Sequence, residues 1–246
     1  MTKFSIGGDE AAEVGKLSDE EIERLVANHQ QWLASDGRDG EKFDRPGANL
    51  IYGAFLLADL SRANLRDACL IKANLREANL TEVDLTGANL EGASMVNVNL
   101  ASATLVGANL SKSIASGINM EAADLTEARL NSSNLLSAVV VNCQLRGADL
   151  SDINLAGGTI RESCLDRGIL GDAKLMLTNF TGTSFVGADF SRAIVFGTIF
   201  DEADLSDADL RSAQGLTEEQ LDSAYGNAGT LLPESLAGYK MGIKVT

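Results

Sequence analysis

Large apolar residues recur at every fifth position over the middle two-thirds of the chain. From Leu50 to Leu210 the multiples of five hold Leu, Phe, Met, Val or Ile, and Ala115 is the single small exception. Two positions before each of them the residue is most often Ala, and otherwise Gly, Ser, Thr, Cys, Val or Ile, and this register holds without a break from Ala48 to Ala213. A helix repeats near 3.6 residues and a strand at 2, so neither has a period of five. The pattern predicts a repeat architecture.

Each five-residue unit then directs one large and one small side chain inward and three mostly polar side chains outward. A single unit is too short to bury its own apolar side, so consecutive turns of the chain must stack and share one core. Stacked turns also satisfy their backbone hydrogen bonds by pairing with one another. The pattern therefore favours an all-β solenoid whose core is built from Leu, Ala, Val and Ile, since only 5% of the residues are aromatic.

The units "ANLRE", "ANLTE", "ADLTE" and "ADLSD" resemble the A(D/N)LXX signature of the pentapeptide repeat proteins, and the resemblance covers residues 48–213. It implies a right-handed quadrilateral parallel β-helix with four units in each coil of about 20 residues. Phe180 and Phe200 would then lie one coil apart on the same face and are expected to stack in the core. At about 4.8 Å between stacked strands, about eight coils would form a rod roughly 40 Å long. Ala115, with the larger Ile118 at a normally small position, would mark a locally repacked coil.

Both flanks of the repeats carry helix-start signals. In "LSDEEI", residues 17–22, Ser18 and Glu21 form a capping box, and apolar spacing continues a helix over about residues 18–35. In "LTEEQL", residues 216–221, Thr217 and Gln220 repeat the device, and Gly226 is expected to end that helix. Because an open solenoid end invites aggregation, these segments predict short α-helical caps at both ends.

The chain accordingly divides into three parts. Residues 1–45 form an N-terminal segment with its capping helix, residues 46–215 form the β-helix, and residues 216–246 form a C-terminal capping helix and a tail. The tail contains Pro233 and several apolar residues and is expected to lie against the rod.

With about 20 residues per coil, as the resemblance implies, every unit belongs to one of four faces. The face of the units centred on 55, 75, 95 and onwards to 195 carries only three charged side chains, Arg76, Glu77 and Lys174. We call it the apolar face, because its outward positions hold Leu56, Leu57, Val96, Ile114, Leu136, Met176, Leu177, Ile194 and Phe196. An exposed apolar stripe usually marks an interaction surface. The candidate occupants are another protein, a second copy of the rod or the chain's own C-terminal tail; drift in a tolerant repeat is the alternative interpretation.

The predicted function is that of a non-catalytic rigid scaffold or protein–protein interaction module. The alternative follows from the resemblance, because some pentapeptide repeat proteins imitate DNA as an acidic rod and bind DNA gyrase or topoisomerase IV. Its candidate residues lie at the end of the repeats: Asp201, Glu202, Asp204, Asp207 and Asp209. Residues 46–215 hold 20 acidic and 12 basic residues, about one net negative charge per coil, whereas duplex DNA would need about three.

The remaining composition argues against other classes of function. A net charge of −15 disfavours direct nucleic-acid binding. The single histidine, His29, is expected to be packed rather than catalytic, and Cys69, Cys143 and Cys164 match no zinc or redox spacing. We therefore expect no enzyme activity, no metal and no cofactor. Without a secretory signal or an apolar run of about 20 residues, we expect a cytoplasmic protein that does not insert into membranes.

Overall fold

The computed structural model describes residues 15–243, and most of them belong to one ladder of stacked turns. Parallel β-bridges join residues 20 apart, as in Asn49 with Cys69, Asn89 with Asn109 and Asn179 with Ile199. Four five-residue units therefore complete each turn. Two bridges lengthen into three-residue strands, β1 (Val139–Val141) and β2 (Thr159–Arg161), which pair in parallel with Val139 opposite Thr159. The architecture is a parallel β-helix solenoid.

The local geometry of a unit explains its residue preferences. In the unit centred on Phe55, the Ala58 N–H donates to the Phe55 carbonyl at 3.0 Å, which closes a turn. Leu57, the third residue of that four-residue turn, has a positive φ of 60°, and most units repeat this left-handed corner. Asn or Asp precedes the large residue because its side chain accepts from the turn backbone; Asn79 Oδ1 lies 3.2 Å from the Thr81 nitrogen.

The core is continuous along the stack. The inward large residues are at most a few per cent exposed, and the inward small residues are buried except at the two ends, where Ala48 and Ala213 are partly buried. Ala115 and Ile118 are both buried. Phe180 and Phe200 stack with ring centroids 5.8 Å apart and planes inclined by 14°, which confirms the predicted pair. Phe185 and Phe190 extend this pair into a four-ring cluster.

The N-terminal helix, α1 (Asp19–Ala34), begins at Ser18, and both hydrogen bonds of the predicted capping box with Glu21 are present. Ile22 and Leu25 are buried in the same core as the first turns. Just before the helix, the Leu17 N–H donates to the Asn49 carbonyl at 3.1 Å, so the ladder starts ahead of α1.

The second helix, α2 (Glu218–Leu221), is a single turn that begins with the predicted Thr217–Gln220 capping box. The prediction that Gly226 ends this helix is wrong, because α2 stops at Leu221. Its continuation is prevented by Tyr225, whose N–H donates to the Ala203 carbonyl and whose carbonyl accepts from the Leu205 N–H, at 2.8 Å each. The chain thus leaves the helix to rejoin the ladder.

The residues after α2 continue the stack at its C-terminal end. Bridges join Asp209 to Leu231 and Tyr225 to Gly242, and a short 3₁₀ helix spans Glu234–Leu236. Within residues 15–243, no helix is both long and apolar enough to cross a membrane.

Candidate interaction surface

The units of the apolar face lie in one column. The bridges run from Ala54 through the equivalent residue of every turn to Ile194, so residues far apart in sequence become vertical neighbours. Large apolar side chains point outward along this column, and the most exposed are Leu57 at 66%, Leu177 at 71% and Phe196 at 56%. Leu56, Ile114, Leu136 and Met176 are also exposed, whereas Val96 and Ile194 are half-buried.

Glycines at the corners of the column make room for these side chains. A Cβ on Gly197 would lie 2.9 Å from Leu177 Cδ2, and one on Gly215 would lie 2.4 Å from the Phe196 ring. Both contacts are far closer than carbon atoms tolerate. Leu177 and Phe196 therefore occupy space that a side chain at position 197 or 215 would need.

Two further apolar side chains join this surface. Val139 and Ile199 are each 41% exposed and follow the corners of Leu136 and Phe196 in the chain. They occupy a position that usually holds Asn or Asp, as Asn119 and Asn179 do in the same column. In the sequence these two residues belong to the units of the neighbouring face, those centred on 140 and 200. A β-branched residue where Asn or Asp is usual was the signal that could have identified them.

The C-terminal tail does not cover the apolar face over the residues that the structure describes. Tyr225 and Leu231 stack on Asp204 and Asp209, which belong to other columns of the solenoid. The tail interpretation is therefore wrong for residues 222–243, because the ladder carries this segment onto the end of the stack rather than along its side.

The acidic residues of the last turns are largely engaged in local bonds. Asp201 accepts from Ser223 Oγ at 2.5 Å, and Asp207 accepts from Asn227 Nδ2 at 3.2 Å, so both hold the tail. Asp209 forms an ion pair with Arg211 at 2.6 Å, and the hydrogen bond from this guanidinium lowers the pKa of the carboxyl. Asp204 accepts from the Ser206 N–H at 3.1 Å.

Glu202 is the fifth residue of this acidic set, and its side chain is exposed. Its backbone is tied to the tail, because the Glu202 N–H donates to the Ser223 carbonyl at 2.8 Å.

His29 lies on the buried side of α1 and is packed as predicted. Its Nε2 lies 2.9 Å from the Ser61 carbonyl, and its Nδ1 accepts from the Phe43 N–H at 3.0 Å. Since Nδ1 is an acceptor, Nε2 carries the proton and donates it to Ser61. Desolvation lowers the pKa of the imidazole, which favours this neutral form. Both ring nitrogens are occupied by backbone, so the residue serves packing.

All three cysteines are free thiols; Cys143 is buried, and Cys164 lies on the next turn, where its N–H donates to the Cys143 carbonyl at 2.9 Å. Burial raises the pKa of Cys143 to about 11, and it also raises the pKa of Cys69. These thiols are therefore poor nucleophiles. Among residues 15–243 no group of His, Cys, Asp and Glu side chains is arranged to hold a metal ion.

Comparison with protein families gives one result. A family model described as pentapeptide repeats matches the chain in 8 copies, which together span residues 58–152 and 165–211, more than half of the chain. No curated protein matches the chain.

Three solved structures are among those to which this chain is similar. HetL, a pentapeptide repeat protein involved in heterocyst differentiation regulation in the cyanobacterium Nostoc sp. strain PCC 7120, is 26% identical, with a TM-score of 0.47 over 87% of this chain and 99% of that chain. Rfr23 from the cyanobacterium Cyanothece 51142 is 23% identical, with a TM-score of 0.33 over 40% of this chain and 63% of that chain. QnrB1, a plasmid-mediated fluoroquinolone resistance protein, is 14% identical, with a TM-score of 0.32 over 75% of this chain and 94% of that chain.

Proposed function

Because the chain belongs to the pentapeptide repeat family, whose repeats form a right-handed β-helix solenoid, we propose that it is a non-catalytic scaffold that binds a protein partner through the apolar face. The observation that carries this proposal is the column of exposed Leu, Ile, Met and Phe side chains between the first and the last turn. These side chains form three groups along the column, at Leu56 and Leu57, at Ile114 and Leu136, and at Met176, Leu177 and Phe196. Exposed apolar patches of this kind commonly mark protein interaction sites. Only Arg76, Glu77 and Lys174 interrupt it with charge.

Rigidity supports the role of a scaffold. Each turn is joined to the next by backbone hydrogen bonds on all of its units, such as Leu90 N–H to the Asn109 carbonyl at 2.7 Å. The side chains of the apolar face are therefore held in fixed positions, and a partner would meet a preorganised surface. Preorganisation reduces the entropic cost of binding.

We further propose the finer architecture. The solenoid is a four-sided prism of about eight coils over residues 46–215, residues 1–45 and 216–246 supply capping helices and a tail, and the protein acts in the cytoplasm. The capping role of α2 is supported by Gln220, whose Nε2 donates to the Val195 and Thr198 carbonyls at 2.8 and 2.7 Å. These carbonyls would otherwise face an open end of the stack.

The topoisomerase alternative has less support. A DNA mimic needs free negative charge at regular spacing, whereas Asp201, Asp207 and Asp209 are used to hold the tail or are paired with Arg211. A DNA supercoiling assay with purified gyrase tests it directly. We expect neither inhibition nor protection from a quinolone.

A pair of glutamates on the apolar face tests the scaffold. The variant Leu136→Glu with Met176→Glu places two charges on the apolar column, and the matched control Val106→Glu with Val186→Glu places two at the same turn position of the opposite face. Affinity capture from an extract of the native cells should retain a partner with the wild type and the control and lose it with the face variant. Identical proteins captured by all three would overturn the proposal.

A further inference from the structure

The third exposed group of the apolar face, near the C-terminal end of the stack, is compact. Met176 and Phe196 lie on consecutive turns, and the Leu177 N–H donates to the Phe196 carbonyl at 3.0 Å. Ile199, which follows the corner at Gly197, adds a fourth exposed side chain. We call Met176, Leu177, Phe196 and Ile199 the terminal apolar patch.

Acidic residues border this patch on two sides. The chain passes the Phe196 ring at Gly215, and α2 begins after Thr217. Gln220 holds α2 on the carbonyls of Val195 and Thr198, the residues that enclose Phe196 and Gly197, so α2 lies at the C-terminal edge of the patch. The chain that continues beyond Ile199 supplies the second side. The exposed carboxylates on these two sides are Glu218, Glu219, Asp222, Asp201 and Glu202.

No base compensates this negative charge. Within residues 15–243, none of the five carboxylates forms an ion pair, whereas a carboxylate elsewhere in the last turns is paired, as Asp172 is with Arg192 at 2.5 Å. Lys174, which adjoins the patch, is directed to Asp152 at 3.8 Å. The border therefore remains acidic.

Three of the carboxylates lie close enough together to act on one group. Tyr239 donates to Asp222 at 2.7 Å, and the pKa of Tyr239 is raised to about 12. This hydrogen bond is the main cause, and burial and the negative charges of Asp222, Glu218 and Glu219 add to it. A cation placed at this edge would be attracted by all three.

The backbone of the patch limits the form of a partner. The Leu177 N–H is paired with the Phe196 carbonyl, the Ile199 N–H donates to Thr178 at 3.0 Å, and Gln220 occupies the Val195 and Thr198 carbonyls. A strand cannot add to groups that are already paired, so the partner segment must satisfy its own backbone, as a helix does. Residues i and i+4 of a helix are about 6 Å apart along its axis, close to the rise of about 4.8 Å from Met176 to Phe196.

From these observations we propose that the terminal apolar patch binds a basic amphipathic helix of the partner protein. Its apolar side chains would lie on the four residues of the patch, and its Lys or Arg side chains would lie opposite the acidic border. This inference rests on the proposed function and names the chemistry of the partner on the same surface. Charge complementarity selects a basic helix, because an acidic one would place like charges together.

A model peptide tests this inference with the full chain. The probe is a fluorescent helix of about 14 residues made of Leu and Lys, with the Leu residues on one side, and its control has Glu in place of Lys. Fluorescence anisotropy should show the Lys peptide binding at least about tenfold more tightly than the Glu peptide. Raising the ionic strength from about 0.05 to about 0.5 M should weaken this binding, because salt screens the acidic border.

Two variants locate the binding site. Phe196→Ser removes the largest side chain of the patch and should raise the dissociation constant of the Lys peptide about tenfold or more. Glu218→Gln with Glu219→Gln removes two charges of the border and should raise it about threefold or more. Circular dichroism checks that both variants are folded.

The matched controls make the same kinds of change elsewhere. Val186→Ser lies at the same turn position of the opposite face, and Glu82→Gln with Glu127→Gln removes two exposed corner charges, both at φ of 57°. Neither control should change the dissociation constant.

Three outcomes would overturn the inference: equal binding of the two peptides, unchanged binding in Phe196→Ser, or an equal loss in the glutamine controls, which would mean that net charge alone attracts the peptide. If the inference fails but partner capture is still lost with Leu136→Glu and Met176→Glu, the scaffold stands with a partner of different chemistry. If capture is also unchanged, the proposed function fails as well.

Discussion

Ser113 carries a buried oxygen for which the structure provides no hydrogen-bond partner within residues 15–243. Desolvating a hydroxyl without compensation costs stability. We therefore expect Ser113→Ala to raise the free energy of unfolding by about 1 kcal/mol, measured by chemical denaturation. An unchanged or lower value would contradict this reading of the site.

Ser163→Ala is the matched control for Ser113→Ala. Ser163 is equally buried, but its Oγ accepts from the Cys143 N–H at 3.1 Å and lies 2.9 Å from the Arg161 carbonyl. The same truncation there orphans the Cys143 N–H and should lower the free energy of unfolding by about 1–3 kcal/mol.

His29 predicts a pH dependence of stability. Its pKa is lowered in the folded state by desolvation, so the unfolded chain binds the proton more readily. The stabilisation is complete above the unfolded pKa near 6.5 and decreases as the pH falls below it. Between pH 7.5 and 5 the free energy of unfolding should drop by at most about 2 kcal/mol.

Asp84, Asp172 and Asp209 also have lowered pKa values, starting from the ordinary value of 3.8. Their protonation therefore changes the stability of the fold only at a pH below the range tested for His29. His29→Gln should therefore flatten the difference between pH 7.5 and 5, whatever it does to stability overall. Urea unfolding at the two pH values measures this, and an equally steep dependence in the variant would count against His29.

At the scale of the elements, a single side chain, Gln220, attaches α2 to the last turns of the stack. Gln220→Glu keeps the oxygen that accepts from the Thr217 N–H but replaces the amide donor to Val195 and Thr198 with a carboxylate. We expect the C-terminal end to lose about 2 kcal/mol of free energy of unfolding, with no change in the other turns. Hydrogen exchange of the Glu202 and Leu205 amides, which donate to the tail, should accelerate.

Gln214→Glu is the control for α2, since it adds the same charge at an exposed position of the same end. Those two amides should keep their protection in it. Equal acceleration in both variants would mean that charge, rather than the lost donor, weakens the end.

The sequence was enough to predict those elements that are determined by residues close together in the chain. Both capping boxes could be read from four residues, and the inward positions from the period of five. The end of α2 could not, because the competing interaction comes from Ala203 and Leu205, which approach Tyr225 only in the folded stack. The members of the apolar face could be identified only once the number of units per turn was supplied by the resemblance. Its extension by Val139 and Ile199 required knowledge of which corners adjoin.

At the scale of the whole molecule, the ladder predicts that the effect of a deletion depends on whether its length is a multiple of 20 or of 5 residues. Removing residues 81–100 deletes one full turn, so every later unit keeps its inward phase and its face. We expect this variant to fold with cooperative thermal unfolding. Removing residues 97–100 instead breaks the phase and should disrupt the stack at that point.

A deletion of five residues, 96–100, separates fold from function. The inward phase is preserved, but all later units rotate by one face, so Leu136, Met176 and Phe196 no longer lie in the column of Leu57. We expect near-normal circular dichroism together with loss of partner capture. Retained capture would show that the apolar face is not the binding surface.

Because every turn rises by the same amount, the protein offers pairs of sites at known distances along its axis. Corner residues such as Ser102 and Asn142 have nearly the same φ, 58° and 57°, and lie two turns apart in one column. Spectroscopic labels on such pairs would be separated along the axis by about 10 Å, and each additional turn adds about 4.8 Å. The protein can therefore serve as a graduated distance standard, in which the spacing between two labels is chosen by counting residues in twenties.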